Sequence, residues 1–351
     1  MGHHLADSSH SQVAIIGGGY AGIAAAIRLA EHGIQSTLFE AGKELGGRAR
    51  RIRYQGQTLD NGQHILSGAY TELLRMMRLV GVPDRAYRRI PLTLAMPPDF
   101  TLAALRLPAP LHLAQALLFA QGLTWADRWA AIRLIQKLKH LRFRLPTNQT
   151  VHNLLHEQGQ TETVINHLWQ PLCISALNTP LETASAQIFA NVLRDALLAN
   201  RAASDLLLPQ TDLSALFPEP AEAWLQARGN SIHRATPVVA LTKEENHFTI
   251  TTLRAQHTAQ AVIVAVGPHQ LDALSLPAAA MPAHTWQYEP IYTLYLQYPC
   301  AVTLPNMMTG QVPQKGLIQW FFNRELLSPS AADVKGLIAA VISASGPHQQ
   351  M

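Results

Sequence analysis

The order of apolar and polar positions in residues 12–64 predicts a strand, a helix and a second strand. Residues 13–16 (VAII) form an apolar run with the length and β-branched content of a buried parallel strand. An alanine-rich segment with helical spacing follows over residues 23–31 and ends at Gly33, and a second apolar strand covers residues 36–39. This order predicts a βαβ unit and therefore an α/β domain.

A glycine-rich turn connects the first strand to the helix. Its letters GGGYAG fit G-x-G-x-x-G, with Gly17, Gly19 and Gly22 at the fixed positions. The first glycine permits the tight turn, the second lets a pyrophosphate approach the backbone, and the third lets helix and strand pack closely. Glu40 stands at the end of the second strand, where an acid accepts hydrogen bonds from an adenosine ribose. The motif therefore predicts a dinucleotide site at the helix N-terminus.

The next letters, AGKELGGRAR over residues 41–50, distinguish a flavin from a nicotinamide cofactor. The paired glycines and the arginine resemble the FAD-binding continuation of the amine oxidase and carotenoid desaturase superfamily. Gly46 and Gly47 let the loop fold back over the cofactor, and Arg48 offers a forked donor to phosphate. The resemblance implies tightly bound FAD. It also implies a Rossmann-like FAD-binding domain of the glutathione reductase type, with an interleaved α+β substrate domain.

Residues 125–145 have the spacing of a basic amphipathic helix. Trp125, Trp129 and Ile132 stand on one side, and arginines and lysines stand on another. In one interpretation this helix packs on the core with its cationic face in water. In the other it contacts anionic membrane lipid, through which a water-insoluble substrate is delivered.

Composition is that of a two-lobed enzyme with a large core. The chain has 351 residues, 48% of them apolar and 14% charged. A net charge of +4 without a long basic block argues against nucleic acid. Residues 1–11 do not have the pattern of a secretory signal, and no apolar run reaches the length of a membrane-spanning helix.

The spacing of the cysteines and histidines does not predict a metal site. Cys173 and Cys300 lack C-x-x-C or zinc spacing, which favours a reducing, cytoplasmic setting. His152 and His156 are four residues apart, but no carboxylate stands between them in H-E-x-x-H order. Contact with the inner face of the membrane remains open through the amphipathic helix, and the sequence sets no oligomeric state.

Three further stretches are more specific than the glycine motif. They read DNGQH over 60–64, WQPLCISALNTP over 169–180 and LLLPQTDLSALF over 206–217. These letters resemble hydroxysqualene dehydroxylases, the squalene-associated FAD enzymes of bacterial hopanoid pathways and distant relatives of phytoene desaturases. The resemblance spans about residues 13–299. It implies an isoprenoid lipid substrate, hydroxysqualene, which loses its allylic hydroxyl as water while reduced FAD gives a hydride, yielding squalene.

The resemblance also assigns candidate side chains. His64 lies in a region that passes close to the flavin in superfamily members, and it is the candidate proton donor. Trp169, Tyr292 and Tyr295 are candidates for lining the substrate tunnel. The alternative for His64 is a structural histidine, and for the aromatic residues a place in the core.

The chain is expected to alternate between two domains. The FAD-binding segments are 12–86 and 227–275, and the substrate-domain segments are 87–226 and 276–351. Residues 229–241 read as strand, turn and strand, and in the superfamily the second strand packs against the FAD adenosine. Val239, or its neighbour Val238, matches that position best, the alternative being a buried sheet valine.

The last part of the chain gives two expectations. Residues 292–298 alternate as a sheet strand, with the aromatic residues expected on one face. Family members continue to a Gly-Asp-containing segment that closes over the flavin, and residues 335–351 do not match it. We therefore expect the chain to stop within the substrate domain, leaving part of the cofactor and an apolar seam uncovered.

Two other functions remain open at this stage. One is an oxidative relative, a carotenoid desaturase or an amine oxidase, which uses the same flavin in the opposite direction. The other is a non-catalytic lipid-binding protein on this fold. The intact nucleotide motif argues against the second.

Overall fold

A computed structural model describes residues 10–274, 276, 286–304, 308–311, 316–327, 334–344 and 346. The strands are β1 (His10–Ile16), β2 (Ser36–Phe39), β3 (Arg51–Tyr54), β4 (Gln57–Asp60), β5 (Leu66–Ser67), β6 (Tyr87–Ile90), β7 (Thr93–Met96), β8 (Phe100–Ala103), β9 (Leu206–Pro209), β10 (Ser231–His233), β11 (Val238–Lys243), β12 (Phe248–Thr252), β13 (Gln256–Val264), β14 (Ile291–Gln297), β15 (Met308–Gly310), β16 (Trp320–Asn323) and β17 (Leu337–Ser343).

The α-helices are α1 (Tyr20–Glu31), α2 (Thr71–Leu79), α3 (Leu111–Leu118), α4 (Trp125–His140), α5 (Val151–Glu157), α6 (Glu162–Val164), α7 (Gln170–Leu177), α8 (Ala186–Val192), α9 (Leu213–Leu216), α10 (Pro218–Gln226) and α11 (Arg324–Leu327). Two π-helical turns, Ile165–Trp169 and Leu193–Leu198, continue α6 and α8. Most of the N-terminal stretch on which the prediction about a secretory signal rests lies outside the described residues.

One compact unit comprises Met1–Asn61, Glu72–Ala86 and Thr211–Gln287. In its described part, the sheet has the order β10-β2-β1-β13-β12-β11. The strands from β10 to β13 are parallel, and β12 and β11 continue the sheet antiparallel. The parallel strands end at one edge, beside the N-terminus of α1, where open α/β sheets bind their ligands. The predicted α/β, Rossmann-like class is confirmed.

Local sequence signals predict the bounds of the first elements of this unit to within a few residues. The second strand is β2 as predicted, and the first apolar run lies within β1. Helix α1 begins at Tyr20, three residues before the predicted start, because the last positions of the glycine motif are themselves helical. The helix ends at Glu31, and Gly33 takes φ +73°, a left-handed conformation that suits glycine.

Residues 211–226, predicted in the substrate domain, belong instead to this unit. The reason is packing on α1: the ring of Phe217 meets the ring of Tyr20 edge-on at 5.2 Å. In addition, the Leu213 N–H donates to the buried carboxylate of Asp60 at 2.8 Å. The predicted boundary after residue 226 therefore moves to residue 210. Residues 62–71, predicted in the FAD-binding domain, belong to the second unit.

The second unit comprises Gly62–Thr71, Tyr87–Gln210 and Tyr288–Met351. Its described residues contain α3 to α8, an antiparallel sheet in the order β14-β17-β16-β15, and the small sheets β5-β9-β6 and β7-β8. One hydrophobic core joins the helices to one face of the larger sheet, with Leu134, Leu138 and Phe189 fully buried. Helix α8 begins after its N-cap Ser185, whose Oγ accepts from the Ile188 N–H at 3.4 Å.

Tyr292 and Tyr295 point to opposite faces of β14, so the prediction that the aromatic residues share one face is wrong. Side chains alternate along a strand, and these two positions are three residues apart. Tyr295 packs against the core, whereas Tyr292 is 45% exposed, on the face that also carries Leu294 and Leu296. The two tyrosines therefore cannot line one and the same surface of this sheet.

The tryptophans of α4 are on the outside of the second unit. Trp125 is 63% and Trp129 57% exposed, while the buried face of the helix consists of Asp127, Ala130, Ala131, Leu134 and Leu138. The interpretation in which the apolar side of this helix packs on the core is therefore wrong for its first two turns. The helix ends at His140, short of the predicted residue 145, because Arg142 and Phe143 take positive φ.

A bidentate ion pair ties α1 to α2 in the first unit. Both oxygens of Glu31 accept from Arg75, at 2.6 and 3.0 Å, and Arg28 adds a bond of 3.0 Å. The hydrogen bond from Arg75 is the largest cause that lowers the pKa of Glu31 from 4.5 to about 2. Because the folded-state pKa is depressed, the stabilisation is complete above pH 4.5 and is lost as the pH falls towards 2.

Replacing Glu31 with Gln is accordingly expected to lower the free energy of unfolding at neutral pH, and to lower it less and less below pH 4.5. Urea unfolding of wild type and variant across this range measures the difference. Glu72→Gln is the control, since Glu72 is 74% exposed and accepts a single hydrogen bond from Arg75. A difference that stays constant down to pH 2 would contradict the assignment.

Candidate functional site

The glycine turn between β1 and α1 has the geometry of a phosphate cradle. Gly17 takes φ +108°, and its N–H donates to the Phe39 carbonyl at 2.8 Å. A Cβ on Gly22 would lie 1.9 Å from the Gly17 carbonyl oxygen, so no side chain fits between helix and strand. A Cβ on Gly19 would meet only the Gly47 Cα, at 3.8 Å. The third glycine is thus required by packing, while the second leaves space in front of the backbone.

The N-terminus of α1 is open to an anion. Its N-cap is Gly19, and in the described chain no side chain caps the helix and no acid lies in its first turn. The first N–H groups of a helix have no partner within it, and the helix dipole adds partial positive charge there. This end of α1 therefore suits a phosphate.

A second pair of glycines packs directly on this turn. The Gly46 N–H donates to the Gly18 carbonyl at 2.8 Å, and a Cβ on Gly47 would lie 3.1 Å from the Gly19 Cα. Arg50 donates to the Gly47 carbonyl and so fixes the loop. The guanidinium of Arg48 is exposed and has no hydrogen bond or ion pair with the described residues. Its predicted contact with a phosphate stays a prediction.

The carboxylate of Glu40 is held by backbone N–H groups. Oε2 accepts from Gly18 at 2.7 Å and Oε1 from Gly42 at 2.6 Å. A carboxylate oxygen has about two acceptor positions, so each oxygen keeps one for a further donor. The carbonyl of Glu40 also accepts from the Thr236 N–H at 2.8 Å. The acid thus stands beside the glycine turn with free acceptor capacity of the kind that a ribose diol requires.

Val238 and Val239 begin β11, at the far edge of the same sheet. Val238 pairs with Thr252 and packs against the core of this unit. The pairing shifts between Val238 and Ala240, so Val239 lies at a bulge, where it is 39% exposed. Val239 is therefore not a buried sheet valine, and its contact with adenosine stays a prediction.

The segments around Asp60 and Leu213, two of the stretches that resemble hydroxysqualene dehydroxylases, lie against each other in the structure. Asp60 is 1% exposed and accepts from the Leu213 N–H, and Asp212 caps α9 by accepting from Ser214 at 3.0 Å. Burial, with the Asp60 carboxylate as a second cause, raises the pKa of the Tyr20 phenol above its usual range. These residues hold α9 and α10 against α1, behind the glycine turn.

His64 lies in the second unit, on a loop that is fixed on both sides. Its Nδ1 lies 2.9 Å from the Gly62 carbonyl, and because a carbonyl only accepts, this nitrogen carries the proton. Nε2 has no partner among the described residues. The Gln63 N–H donates to Thr293 Oγ1 at 3.1 Å, and Arg324 Nη1 donates to Gln63 Oε1 at 2.9 Å. The loop and the Gly62 carbonyl therefore fix the orientation of the ring.

An apolar cavity of about 250 Å³ lies between α3 and α4 of the second unit. Trp169 is one of its walls, and its Nε1 donates to Gln160 Oε1 at 2.7 Å, so the ring is fixed. The cavity is lined by Leu92, Leu102, Pro110, Leu113, Ala114, Ala116, Leu117, Ala131, Ile132, Ile135, Gln136, Lys139, Leu168, Trp169, Leu172, Leu197 and Leu198. Tyr292 and Tyr295 do not belong to this lining in the described chain.

The family model for flavin-containing amine oxidoreductases matches residues 20–345, which is nearly the whole chain. The chain belongs to this family. As a flavin-containing amine oxidoreductase it is an FAD-dependent oxidoreductase, and FAD is its cofactor. The matched region includes both units, from α1 to the end of β17.

Individual relatives of this amine oxidoreductase include enzymes of isoprenoid metabolism. It is 28% identical to a hydroxysqualene dehydroxylase of Rhodopseudomonas palustris, over 88% of this chain and 73% of that protein. It is 24% identical to a probable zeta-carotene desaturase of Synechococcus elongatus, over 63% of this chain and 49% of that protein. An oxidoreductase structure from Methanosarcina mazei shares the fold, with a TM-score of 0.73 and 18% identity over 97% of this chain and 80% of that one.

The residues of the first unit fit FAD. The space in front of Gly19 and the uncapped end of α1 suit the pyrophosphate, and Glu40 has acceptor capacity for the ribose. Sequence reasoning missed Gly42 and Arg50, which hold Glu40 and the Gly47 carbonyl. An arginine three residues after a glycine pair is a usable signal, whereas a backbone donor such as the Gly42 N–H has none.

No group of three or more His, Cys, Asp or Glu side chains in the described residues could hold a metal ion. The rings of His152 and His156 do meet, at 4.3 Å. Likewise, no helix in the described part of the chain is long and apolar enough to cross a membrane.

Proposed function

We propose that this amine oxidoreductase reduces hydroxysqualene to squalene by removing its allylic hydroxyl group. The observation that carries the proposal is similarity to a hydroxysqualene dehydroxylase over 88% of this chain, against 63% for the zeta-carotene desaturase. The names of both relatives refer to isoprenoids. The substrate class is therefore an isoprenoid lipid, and the longer alignment favours the dehydroxylation.

The cavity of the second unit supports an oily substrate. All but two of its lining side chains are apolar, the exceptions being Gln136 and Lys139. Burial of apolar surface contributes about 25 cal/mol per Å², so such a wall favours hydrocarbon without selecting a polar group. Trp169 presents a rigid aromatic wall, and an aromatic face stabilises a nearby cation by about 0.5–2 kcal/mol. An allylic carbon that is losing its hydroxyl develops such positive charge.

The proposed reaction breaks the allylic C–O bond and forms a C–H bond at the same carbon. The oxygen leaves as water after it takes a proton, which His64 Nε2 supplies. Reduced FAD, when bound, supplies the hydride that completes the new C–H bond. The Gly62 carbonyl accepts from Nδ1 at 2.9 Å, and this contact orients the ring, so the proton that is transferred is the one that Nε2 carries in the imidazolium form. His64 is thus the proposed general acid.

The proposed cofactor contacts divide into a backbone cradle and side chains. The turn at Gly17, Gly19 and Gly22 with its partner Gly47 holds the pyrophosphate, and Glu40 holds the adenosine ribose. Arg48 would add a forked donor to a phosphate. Val239, exposed at its bulge, would pack against the adenosine.

A zeta-carotene desaturase among the relatives makes an oxidative desaturase the second candidate. The two functions use FAD in opposite directions, so one panel of assays separates them. Holoenzyme is supplied with hydroxysqualene, with a carotene or with a primary amine, under reducing and then oxidising conditions, and the products are identified by mass spectrometry. Squalene formed only under reducing conditions supports the proposal. Carotene desaturation or amine oxidation under oxidising conditions, without squalene, would replace it, and lipid retention without any turnover would indicate a binding protein.

A further inference from the structure

An apolar patch covers the outside of the second unit around α3 and α4. Its residues are large and hydrophobic, yet they are exposed. The α3–α4 surface is the name used below for Leu105, Leu107, Leu111, Leu118, Phe119, Trp125 and Trp129. Phe119 is 70% and Trp125 63% exposed. Single exposed apolar residues are ordinary, but a group of this size on two successive helices and the loops beside them marks an interaction site.

Hydrogen bonds hold the parts of this surface together. The guanidinium of Arg128, in the first turn of α4, donates to the carbonyls of Leu117 at 3.0 Å and Ala120 at 2.6 Å, at the end of α3. The same guanidinium lies 5.1 Å from the centre of the Trp125 ring. The Leu105 N–H donates to a side chain of α3 at 2.9 Å, which fixes the preceding loop. These bonds join α4 to the end of α3, and α3 to the loop before it, and these segments carry the exposed side chains.

The same region is strongly cationic. The chain between residues 103 and 145 contains seven basic residues and a single acid, Asp127, which is buried and bonded to Thr124 and Thr161. Six of the basic side chains are exposed, without ion pairs in the described part of the chain: Arg106, Arg133, Lys137, Lys139, Arg142 and Arg144. Aromatic and leucine side chains bordered by lysine and arginine are the composition of surfaces that lie in a membrane interface.

The apolar cavity opens beside this surface. Its exposed lining residues are Pro110 and Ala114 from the start of α3, and Gln136 and Lys139 from α4, so its mouth lies between the two helices. On α4, Trp129 and Gln136 are seven residues apart and share a face. The exposed tryptophan face therefore continues to the mouth of the cavity.

We propose that the α3–α4 surface docks on an anionic phospholipid bilayer, so that a lipid passes from the bilayer into the cavity between α3 and α4. What the cavity receives rests on the proposed function, whereas the docking itself does not. A second copy of the chain would fit the α3–α4 surface less well than an anionic bilayer. A two-fold interface would bring the same unpaired cations face to face, whereas anionic headgroups neutralise them.

The test is flotation of the holoenzyme with phosphatidylcholine vesicles that contain or lack phosphatidylglycerol, without substrate. Wild type is expected to bind the anionic vesicles, and less so as salt is added. Phe119→Ser/Trp129→Ser is expected to weaken partitioning about a hundredfold through lost apolar burial. Arg133→Glu/Lys137→Glu is expected to weaken it about tenfold or more.

Matched controls come from the first unit. Leu253→Ser removes a side chain that is 75% exposed, and Lys243→Glu reverses an exposed charge, so both should bind vesicles like wild type. Brominated acyl chains should quench wild-type tryptophan fluorescence more strongly than that of Trp125→Phe/Trp129→Phe.

Three results would overturn the docking proposal. They are absence of binding to anionic vesicles, equal binding by all variants, and a dimer in solution that Phe119→Ser/Trp129→Ser separates. Because no turnover is measured here, these results are independent of the proposed reaction. That reaction is tested with hydroxysqualene dispersed in detergent.

Discussion

Alanine at Gly19 is expected to lower the affinity for FAD by about a hundredfold, roughly 3 kcal/mol, while the apoprotein stays as stable as wild type. A Cβ at this position meets only the Gly47 Cα, at 3.8 Å, so the protein itself accommodates the methyl group. The methyl group would occupy the space in front of the backbone at the N-cap of α1, where the pyrophosphate approaches. Titration of the apoprotein with FAD gives the affinity, and thermal unfolding gives the stability.

Gly22→Ala is the matched variant, because it adds the same methyl group where the protein leaves no room. Its Cβ would lie 1.9 Å from the Gly17 carbonyl oxygen, so α1 must move away from β1. We expect this variant to lose both FAD binding and about 3 kcal/mol of the free energy of unfolding. Wild-type FAD affinity in Gly19→Ala would contradict the proposed position of the pyrophosphate.

Removing the imidazole of His64 is expected to slow turnover of hydroxysqualene by about 10²–10⁴-fold, the usual contribution of a general acid. Bound FAD should be unaffected, because the glycine turn and Glu40 belong to the other unit. His64→Ala is compared with wild type under reducing conditions, with both the rate and the flavin content of the purified protein measured. His152→Ala is the control, as its Nδ1 makes one long contact, 3.4 Å, to a neighbouring asparagine.

Turnover by His64→Ala at the wild-type rate would dismiss the acid assignment without affecting the FAD site. A second readout guards against a purely structural effect. If His64 supplies the proton, the rate lost in the variant should be partly restored by small imidazole-like acids in the buffer. A histidine that only supports the loop would leave the rate unchanged by such acids.

The elements that were predicted correctly depend on contacts between residues that are close in the chain. Strand β2 follows from short-range rules of strand composition. The roles of Gly17 and Gly22 also follow from local geometry, because Gly17 takes φ +108° and a Cβ on Gly22 would lie 1.9 Å from the Gly17 carbonyl oxygen. The order of elements around the first glycine turn was therefore predictable.

The errors arise where distant parts of the chain decide the outcome. Helical spacing placed Trp125 and Trp129 on one side of α4, but only the fold shows that smaller residues such as Ala130 and Ala131 pack the core. The boundary at residue 210 depends on the contact of Phe217 with α1, more than 190 residues away in sequence. The cavity is likewise built from several separated segments, so its existence could not be read from any one of them.

The bound flavin is expected to give its hydride to hydroxysqualene. The most direct measurement is anaerobic: the holoenzyme is reduced, hydroxysqualene is added, and the absorbance of oxidised flavin is followed together with squalene. The oxidised band is expected to return only with hydroxysqualene, with one squalene formed for each flavin reoxidised. Two results together would contradict hydride transfer to hydroxysqualene. The flavin would stay reduced when this substrate is added, and the oxidised enzyme would lose its flavin absorbance when a carotene is added.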